Sequence, residues 1–596
     1  MRIRCSSTSV SCLAALVLAA ACAGPKTEKS PAPAAAADGA SKTGRKLIVI
    51  GINDTHGALL AAPPPKWLAN ITKTDVGGAD WFAGYVNVIR AQARAAGDDV
   101  IILDGGDLFQ GTLISNQFQG RSVVDVYNAI GVTAAAVGNH EFDFGMPVLK
   151  DRLAQARFPF LAANIFLKGT TTRPDWARPY AVVDAAGTKV GIIGLATVDT
   201  PLTTNPTNIA GFDFLEGGPI AAALADELHR QGCTVVLITC HMGPKGDHEV
   251  QRLAEAVKGK VDGIVSGHHH EPIGPPPLIV ANIPIVQAGA KLVNFSTIEL
   301  TLDAKGAPTK YAVNDGTSPK PGGPQAILHL ADGLPAQWRG TNVEPDGRVT
   351  AILRDYDVQV KKLRESTIGA TAVALQKGGK DDLLANLCAD SLRSGAGGGL
   401  KADFSFQNSG GLRIPEIAVG PITFGQVFDL YPFDNQQVVV QLPANQVRNA
   451  LEAVLRAGRG PLRVSGLSYV IDWERFGVGK TNLKAAPPGS IVTEVTDTNR
   501  GKKLCVTKSC TAEECASECD TGTFTLSVTD FLANGGDGLT MLKDAPSQVG
   551  AVLARDMIVA YIKEHSPLTA AQLGSMSAGQ PPRITTVGSS KSGIAE

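Results

Sequence analysis

Residues 137–143 read Val-Gly-Asn-His-Glu-Phe-Asp and follow the apolar run 134–137. Asn139, His140 and Asp143 crowd into a turn that Gly138 opens. Such a junction often carries Asn, His and Asp as local hydrogen-bonding groups. Here, however, four more apolar runs in the first half end in the same manner. The run 46–52 is followed by Asn53-Asp54-Thr55-His56, and 100–103 ends in Asp104-Gly105-Gly106-Asp107. The run 234–239 ends in Cys240-His241, and 261–266 leads into Gly267-His268-His269-His270. Six of the chain's 10 histidines therefore sit at these five junctions, a sorting that scattered core or surface histidines would not show. On an extended strand end Asp54 and His56 point the same way and reach one ion. Glycines beside Asp107 let backbone approach a hard cation. Asp54, His56, Asp107, Asn139, His241, His268 and His270 make a mixed oxygen and nitrogen set. It is too large for one ion and suits two ions that share a carboxylate.

The elements that must hold these groups are buried strands alternating with helices, an α/β pattern. Phe82, Tyr85, Val86 and Ile89 lie on one helix face with Asp80 as N-cap, and a helix over 122–130 is closed by Gly131. The chain has 596 residues, a net charge of −1 and 19% charged residues, which gives no field for a nucleic acid polymer. Its 65 glycines fit tight loops between the elements. Ten cysteines are too few for a disulfide scaffold, so the fold rests on its core.

The order Asp-x-His, Gly-Gly-Asp, Gly-Asn-His-Glu-Phe-Asp, His and Gly-His-x-His resembles the calcineurin-like metallophosphatases. The Gly-Asn-His-Glu-Phe-Asp form is similar to their 5′-nucleotidase and UDP-sugar hydrolase branch. The second half carries matching signatures. Residues 407–413, Gln-Asn-Ser-Gly-Gly-Leu-Arg, are similar to that family's Asn-Gly-Gly-Gly-Ile-Arg loop, with Ser409 in place of one glycine. Phe433 in Leu-Tyr-Pro-Phe and Phe531 in 531–538, Phe-Leu-Ala-Asn-Gly-Gly-Asp-Gly, stand where the family has two base-stacking aromatics. Asn408 can bond a base edge or sugar, Arg413 phosphate or ribose oxygens, and Asp537 ribose hydroxyls. The family's second arginine is missing; Lys377 or Lys380 stands nearest, without the planar fork.

The resemblance implies a four-layer β-sandwich flanked by helices, a connecting helix, and a C-terminal α/β substrate-binding domain. It implies two divalent ions, zinc, manganese or similar. Asp54, His56 and His270 would hold one, Asn139, His241 and His268 the other, and Asp107 would bridge them. His140, oriented by Asp143, would bind a phosphoryl oxygen as water-derived hydroxide attacks phosphorus. His269 replaces the family's small hydroxyl residue and stays outside the shell. The implied activity is phosphate release from nucleoside 5′-monophosphates, with other nucleotides or UDP-sugars as further substrates. The same motifs serve 2′,3′-cyclic phosphodiesterases with 3′-nucleotidase activity and thiosulfate-ester hydrolases. A non-catalytic surface nucleotide-binding protein is the alternative from outside the enzymes, against which all seven ligand positions are filled.

Arg2 and Arg4 precede an apolar run at 12–21 that is too short to span a bilayer. Leu18-Ala19-Ala20-Ala21-Cys22 resembles the lipobox of bacterial lipoproteins, with its large apolar residue one place further back. The expectation is an exported protein, periplasmic or on the cell surface, anchored through lipid at Cys22 as that resemblance implies; an ordinary signal peptide cut nearby is the alternative, and both lead to export. The domains expected are a signal peptide at 1–21, a tether at 22–44, a metallophosphatase domain at 45–315, a linker and connecting helix at 316–365, a substrate domain at 366–578, and a disordered tail at 579–596. The helix reads over 349–363 with Ile352, Tyr356, Val360 and Leu363 near one face, either as the family's connecting helix or as the first helix of the second domain; the resemblance implies that any swing of the second domain would hinge there. Cys505, Cys510, Cys515 and Cys519 read as two disulfides in an exported loop; their spacing fits zinc poorly. Cys233, Cys240 and Cys388 read as buried thiols.

Overall fold

The computed structural model describes residues 44–245, 248–315, 322–379, 381–474, 483, 486–511 and 515–588. The export segment, Cys22 and Lys380 lie outside the described residues.

Two mixed sheets build the first half. One has the strand order Pro308–Val313, Asn294–Leu302, Lys46–Ile52, Asp99–Asp104, Ala134–Ala136, Phe160–Leu161. The other runs Leu278–Val280, Ile283–Val286, Gly263–Ser266, Val235–Cys240, Thr188–Leu195, Tyr180–Ala185. The central strands of each are parallel, so their C-terminal ends gather at one rim. Period-2 alternation splits the first strand between two cores. Leu47 and Val49 pack against Val190, Leu237 and Val265 of the opposite sheet, while Ile48, Ile50 and Ile52 face Phe82, Val86 and Tyr127 on the helices. A third core covers the outer face of the second sheet, with Leu224 and Leu253 on its helices. The result is the expected four-layer sandwich.

Three local expectations are corrected. Helix Ala79–Ala96 is capped by Gly78, at φ 88°, and not by Asp80. Asp80 sits in the first turn, where Oδ1 accepts the Trp81 N–H at 2.9 Å and its charge suits the helix N-terminus. The stretch expected as a linker before the connecting helix is largely part of the sandwich. Gln325–Ala326 pairs with Asn294 and Phe295, and Ile327, Leu328, Trp338 and Val343 are buried in the first core. The connecting helix, Gly347–Arg364, is capped by Asp346 and buries Val349, Leu353 and Val360 in that core. Leu363 is 44% exposed instead, because the last turn runs past the core to meet the second domain, where Phe424 N–H donates to Ser366 O at 2.9 Å.

The second half contains two five-stranded sheets. Its central sheet is ordered Arg463–Ser465, Phe404–Gln407, Thr523–Thr529, Gln436–Pro443, Ser547–Leu553. Helix Ala444–Arg456 packs on one face, and helices Leu383–Ser394 and Ala554–His565 on the other. The second sheet runs Cys515–Cys519, Lys502–Cys510, Val492–Asp497, Leu467–Asp472, Ile584–Val587. Its last strand corrects the tail expected to be disordered from 579 onward. Ile584–Val587 pairs in parallel with Leu467–Asp472, and Arg583 donates to both Asp390 oxygens at 2.8 Å. The β-branched run Ile-Thr-Thr-Val favours a strand, a signal that the prolines before it obscure. The cysteine insertion is a hairpin closed by the Cys505–Cys519 and Cys510–Cys515 disulfides, and Cys233, Cys240 and Cys388 are buried thiols.

Candidate active site

The five strand ends converge on one cluster. Ligand atoms of Asp54, His56, Asp107 and His270 all lie within 4.8 Å of one another. Asp54 and His56 do not follow an extended strand end, as the alternation suggested. Both have left-handed backbone, at φ 49° and 48°, and so do Asp107, His268 and His270. Five of the seven expected ligands thus hang from turns that ordinary side chains avoid, a conformation kept only where surroundings impose it. Close packing of the loops is that constraint. A Cβ on Gly138 would come within 2.2 Å of Asp107 Oδ1, and one on Gly106 within 2.9 Å of the Gly138 nitrogen.

Hydrogen bonds set which ring nitrogens face the cluster. His56 Nδ1 donates to Gln110 O at 2.7 Å, leaving Nε2 turned inward. His241 Nδ1 donates to Gly105 O at 2.8 Å, and its Nε2 lies 3.1 Å from Asn139 Oδ1. Asp107 Oδ2 stands between the two rings, 3.1 Å from His241 Nε2 and 3.7 Å from His56 Nε2. That is where a carboxylate shared by two cations belongs. His268 N–H donates to Asp54 Oδ2 at 3.0 Å, and the His268 ring is 5.0 Å from that of His241. Burial lowers the His241 imidazole, yet Asp107 and Asp54 outweigh it and hold the ring up at about 10. The spot draws positive charge strongly, and a divalent ion would displace the proton. The donor set of imidazole nitrogens and carboxylate oxygens fits zinc or manganese. His269 stays outside, its Nδ1 accepting the Lys245 N–H at 3.0 Å.

Beside the cluster, His140 Nδ1 donates to Asp143 Oδ2 at 2.6 Å. Burial lowers this imidazole as well, and Asp143 and Asp107 more than reverse the effect, so its pKa is raised. Glu141, to which sequence reasoning gave no role, is 1% exposed. Its oxygens accept the N–H groups of Asp107, Leu108 and Gly138 at 2.8, 2.7 and 2.7 Å. It ties the loop of the shared carboxylate to the turn of Asn139. Its place between His140 and Asp143 was the one available signal.

The second domain closes the site. A cavity of about 550 Å³ is lined on one side by Asp107, Asn139, His140, His268 and His270. On the other it is lined by Asn408, Arg413, Phe433, Phe531 and Asp537. All five residues expected to bind substrate therefore share one space with the candidate cation site. Arg413 Nη2 lies 3.1 Å from His56 Nε2, and its guanidinium is 5.8 Å from the Phe433 ring centre. The Phe433 ring is 5.7 Å from that of His140. Asn408 Nδ2 donates to Asp537 Oδ2 at 2.6 Å. Lys377 does not line the cavity; its Nζ donates to Leu412 O at 2.7 Å and so braces the Arg413 loop. Lys291 braces it from the first domain, with its N–H on Asp54 O at 2.8 Å and Nζ on Arg413 O at 3.1 Å. Arg459, which the sequence left unmarked in a Gly-rich turn, also lines the cavity, 3.6 Å from Asp537.

Residues 47–272 match the family described as calcineurin-like phosphoesterase, and residues 365–544 the 5′-nucleotidase C-terminal domain. The chain is 28% identical to a snake venom 5′-nucleotidase of Naja atra, over 89% of this chain and 98% of that one. It is 27% identical to Protein UshA of Yersinia enterocolitica, over 82% of this chain and 87% of that one. The crystal structure of a 5′-nucleotidase precursor from Thermus thermophilus aligns with a TM-score of 0.71 at 27% identity. That alignment covers 91% of this chain and 100% of the other.

Proposed function

Because the chain belongs to the 5′-nucleotidase family of metallophosphoesterases, and so to the hydrolases of phosphoric esters, we propose that it releases phosphate from nucleoside 5′-monophosphates outside the cytoplasm. The observation that carries this reading is the single cavity in which the carboxylate–imidazole cluster faces two phenylalanines. In this reading Asp54, His56 and His270 hold one divalent ion, Asn139, His241 and His268 the other, and Asp107 serves both. When bound, the pair supplies positive charge to the phosphoryl oxygens and acidifies a water.

The chain's own residues do the rest. His140, its Nδ1–H donated to Asp143, turns its other nitrogen to a phosphoryl oxygen and neutralises charge there. Arg413 pairs a second oxygen through its planar fork. Phe433 and Phe531 stack the base, a contact of ~1–3 kcal/mol on the scale of base–aromatic stacking. Asp537 accepts from ribose hydroxyls, with Asn408 holding its second oxygen. The two disulfides support an oxidising, extracytoplasmic setting. No helix among the described residues is long and apolar enough to cross a membrane.

A substrate panel tests the reading. With Mn²⁺ present, phosphate release is compared for AMP, UDP-glucose, 2′,3′-cyclic AMP and p-nitrophenyl phosphate. We expect AMP to have the highest kcat/KM. Phe531→Ala should raise its KM about 5- to 150-fold, the equivalent of one lost stack, and leave p-nitrophenyl phosphate unchanged. Equal kcat/KM for AMP and the plain ester would contradict a nucleotide slot.

A further inference from the structure

The segment 199–208 makes contacts that neither the cation cluster nor the base slot explains. It leaves the second sheet after strand Thr188–Leu195 and lies against the 139–143 turn of the first. Asn139 Nδ2 donates to Thr203 O at 3.2 Å, an orientation that leaves Oδ1 facing His241. Thr204 Oγ1 donates to Asp143 Oδ1 at 2.7 Å, while the other Asp143 oxygen accepts the His140 Nδ1–H. Asn208 Nδ2 donates to the carbonyls of Phe142 and Asp143 at 3.0 and 3.3 Å. The side of the segment away from the turn meets the substrate domain. Asn205 Nδ2 lies 3.4 Å from Asp530 Oδ2, beside Phe531. Asp199 Oδ2 lies 3.5 Å from Arg459 Nη2, beside Asp537.

Resting on the reading of His140 as the group that meets the phosphoryl oxygen, we propose that Thr204 is a positioning residue for this reaction. A carboxylate bound to imidazole through one oxygen can still turn about its Cβ–Cγ bond. Anchoring the second oxygen removes that freedom, and the ring it holds then keeps one plane. An ionised carboxylate only accepts, so the threonine hydroxyl must donate. Thr204 is 2% exposed, and its N–H is held by Thr200 O at 3.1 Å, which fixes the residue that carries the hydroxyl. A role in closing the short helix Thr200–Thr203 needs only that N–H. The hydroxyl serves Asp143. The contacts of Asp199 and Asn205 seat the segment on the domain that brings the nucleotide.

The test uses Thr204→Val, which keeps the shape and removes the hydroxyl, and Thr204→Ser, which keeps the hydroxyl. With AMP and Mn²⁺ we expect Thr204→Val to lower kcat about 10-fold, the effect of one charge-assisted hydrogen bond, with KM within about 2-fold. Thr204→Ser should return kcat to within about 3-fold of the parent. In an Asp143→Asn background, Thr204→Val should add less than about 2-fold, because the two act through one contact. A second readout is independent of turnover. The downfield proton NMR signal of His140 Nδ1, assigned by its loss in Asp143→Asn, should weaken or shift in Thr204→Val and persist in Thr204→Ser. Parent-like kcat with an unmoved signal would overturn the proposal, as would losses that multiply fully in the double variant. If the parent hydrolyses no phosphate ester, the phosphohydrolase reading fails, and the NMR signal alone decides whether Thr204 holds the ring.

Discussion

Asp107 is the residue at which the most constraints meet. Its Oδ2 faces His56 and His241, its Oδ1 accepts the His140 N–H at 2.9 Å, and its own N–H is held by Glu141. Such outer contacts typically govern cation affinity by 10- to 100-fold. Glu141→Gln replaces one acceptor oxygen with an amide that repels a backbone N–H. We therefore expect Mn²⁺ affinity, read by competition with a chelating dye, to fall about 10- to 100-fold; parent-like affinity would show that Glu141 only fills space. Gly138→Ala should do the same through sterics, because its Cβ would lie 2.2 Å from Asp107 Oδ1. These candidate ligands were legible in the sequence because five apolar runs end alike, and a single such junction would have read as local hydrogen bonding. Glu141 and Thr204 were not. Their work is to hold other residues, and that depends on distances between strands far apart in the chain.

At the scale of elements, the parallel strands explain why scattered motifs meet, and the connecting helix explains how the halves are joined. Its N-cap is exacting. Burial raises the Asp346 carboxyl, but hydrogen bonds from Asn87, Arg348 and the Val349 N–H outweigh that and hold it at about 2. The folded value lies below the ordinary ~3.9, so this contribution is present above that pH and is lost as pH falls through the folded value. Asp346→Ala should cost about 1 kcal/mol at neutral pH, measured by urea unfolding. The gap from the parent should close between about pH 4 and pH 2. A gap that stayed constant with pH would mean the charge plays no part. The helix itself was readable from its periodicity, whereas its exposed Leu363 was not, because spacing cannot say where a core stops. The terminal strand was missed for a similar reason. Ile584–Val587 gains its place from Leu467–Asp472, more than a hundred residues earlier.

At the scale of the molecule, two domains contribute opposite walls of one cavity, and side chains beyond the Asn205–Asp530 and Asp199–Arg459 pairs span the seam. Arg413 approaches His56, Lys291 holds the Arg413 carbonyl, and Asn116 Nδ2 donates to Pro432 O at 2.8 Å. The two-domain plan and the motifs on each wall could be read from the sequence. Their apposition could not, since no local pattern encodes how two cores dock. Cations bound only by the folded chain should stabilise it by mass action. Chelator should therefore lower the melting temperature of the parent and leave Asp107→Asn nearly unmoved.

The most direct measurement is a metal titration of chelator-stripped protein, following phosphate release from AMP against equivalents of Mn²⁺ bound. We expect no turnover in the stripped protein and a return of activity that levels at about two equivalents, the stoichiometry of a shared-carboxylate pair. AMP hydrolysis that persists without metal, or protein that binds the ions and never hydrolyses AMP, would contradict this expectation.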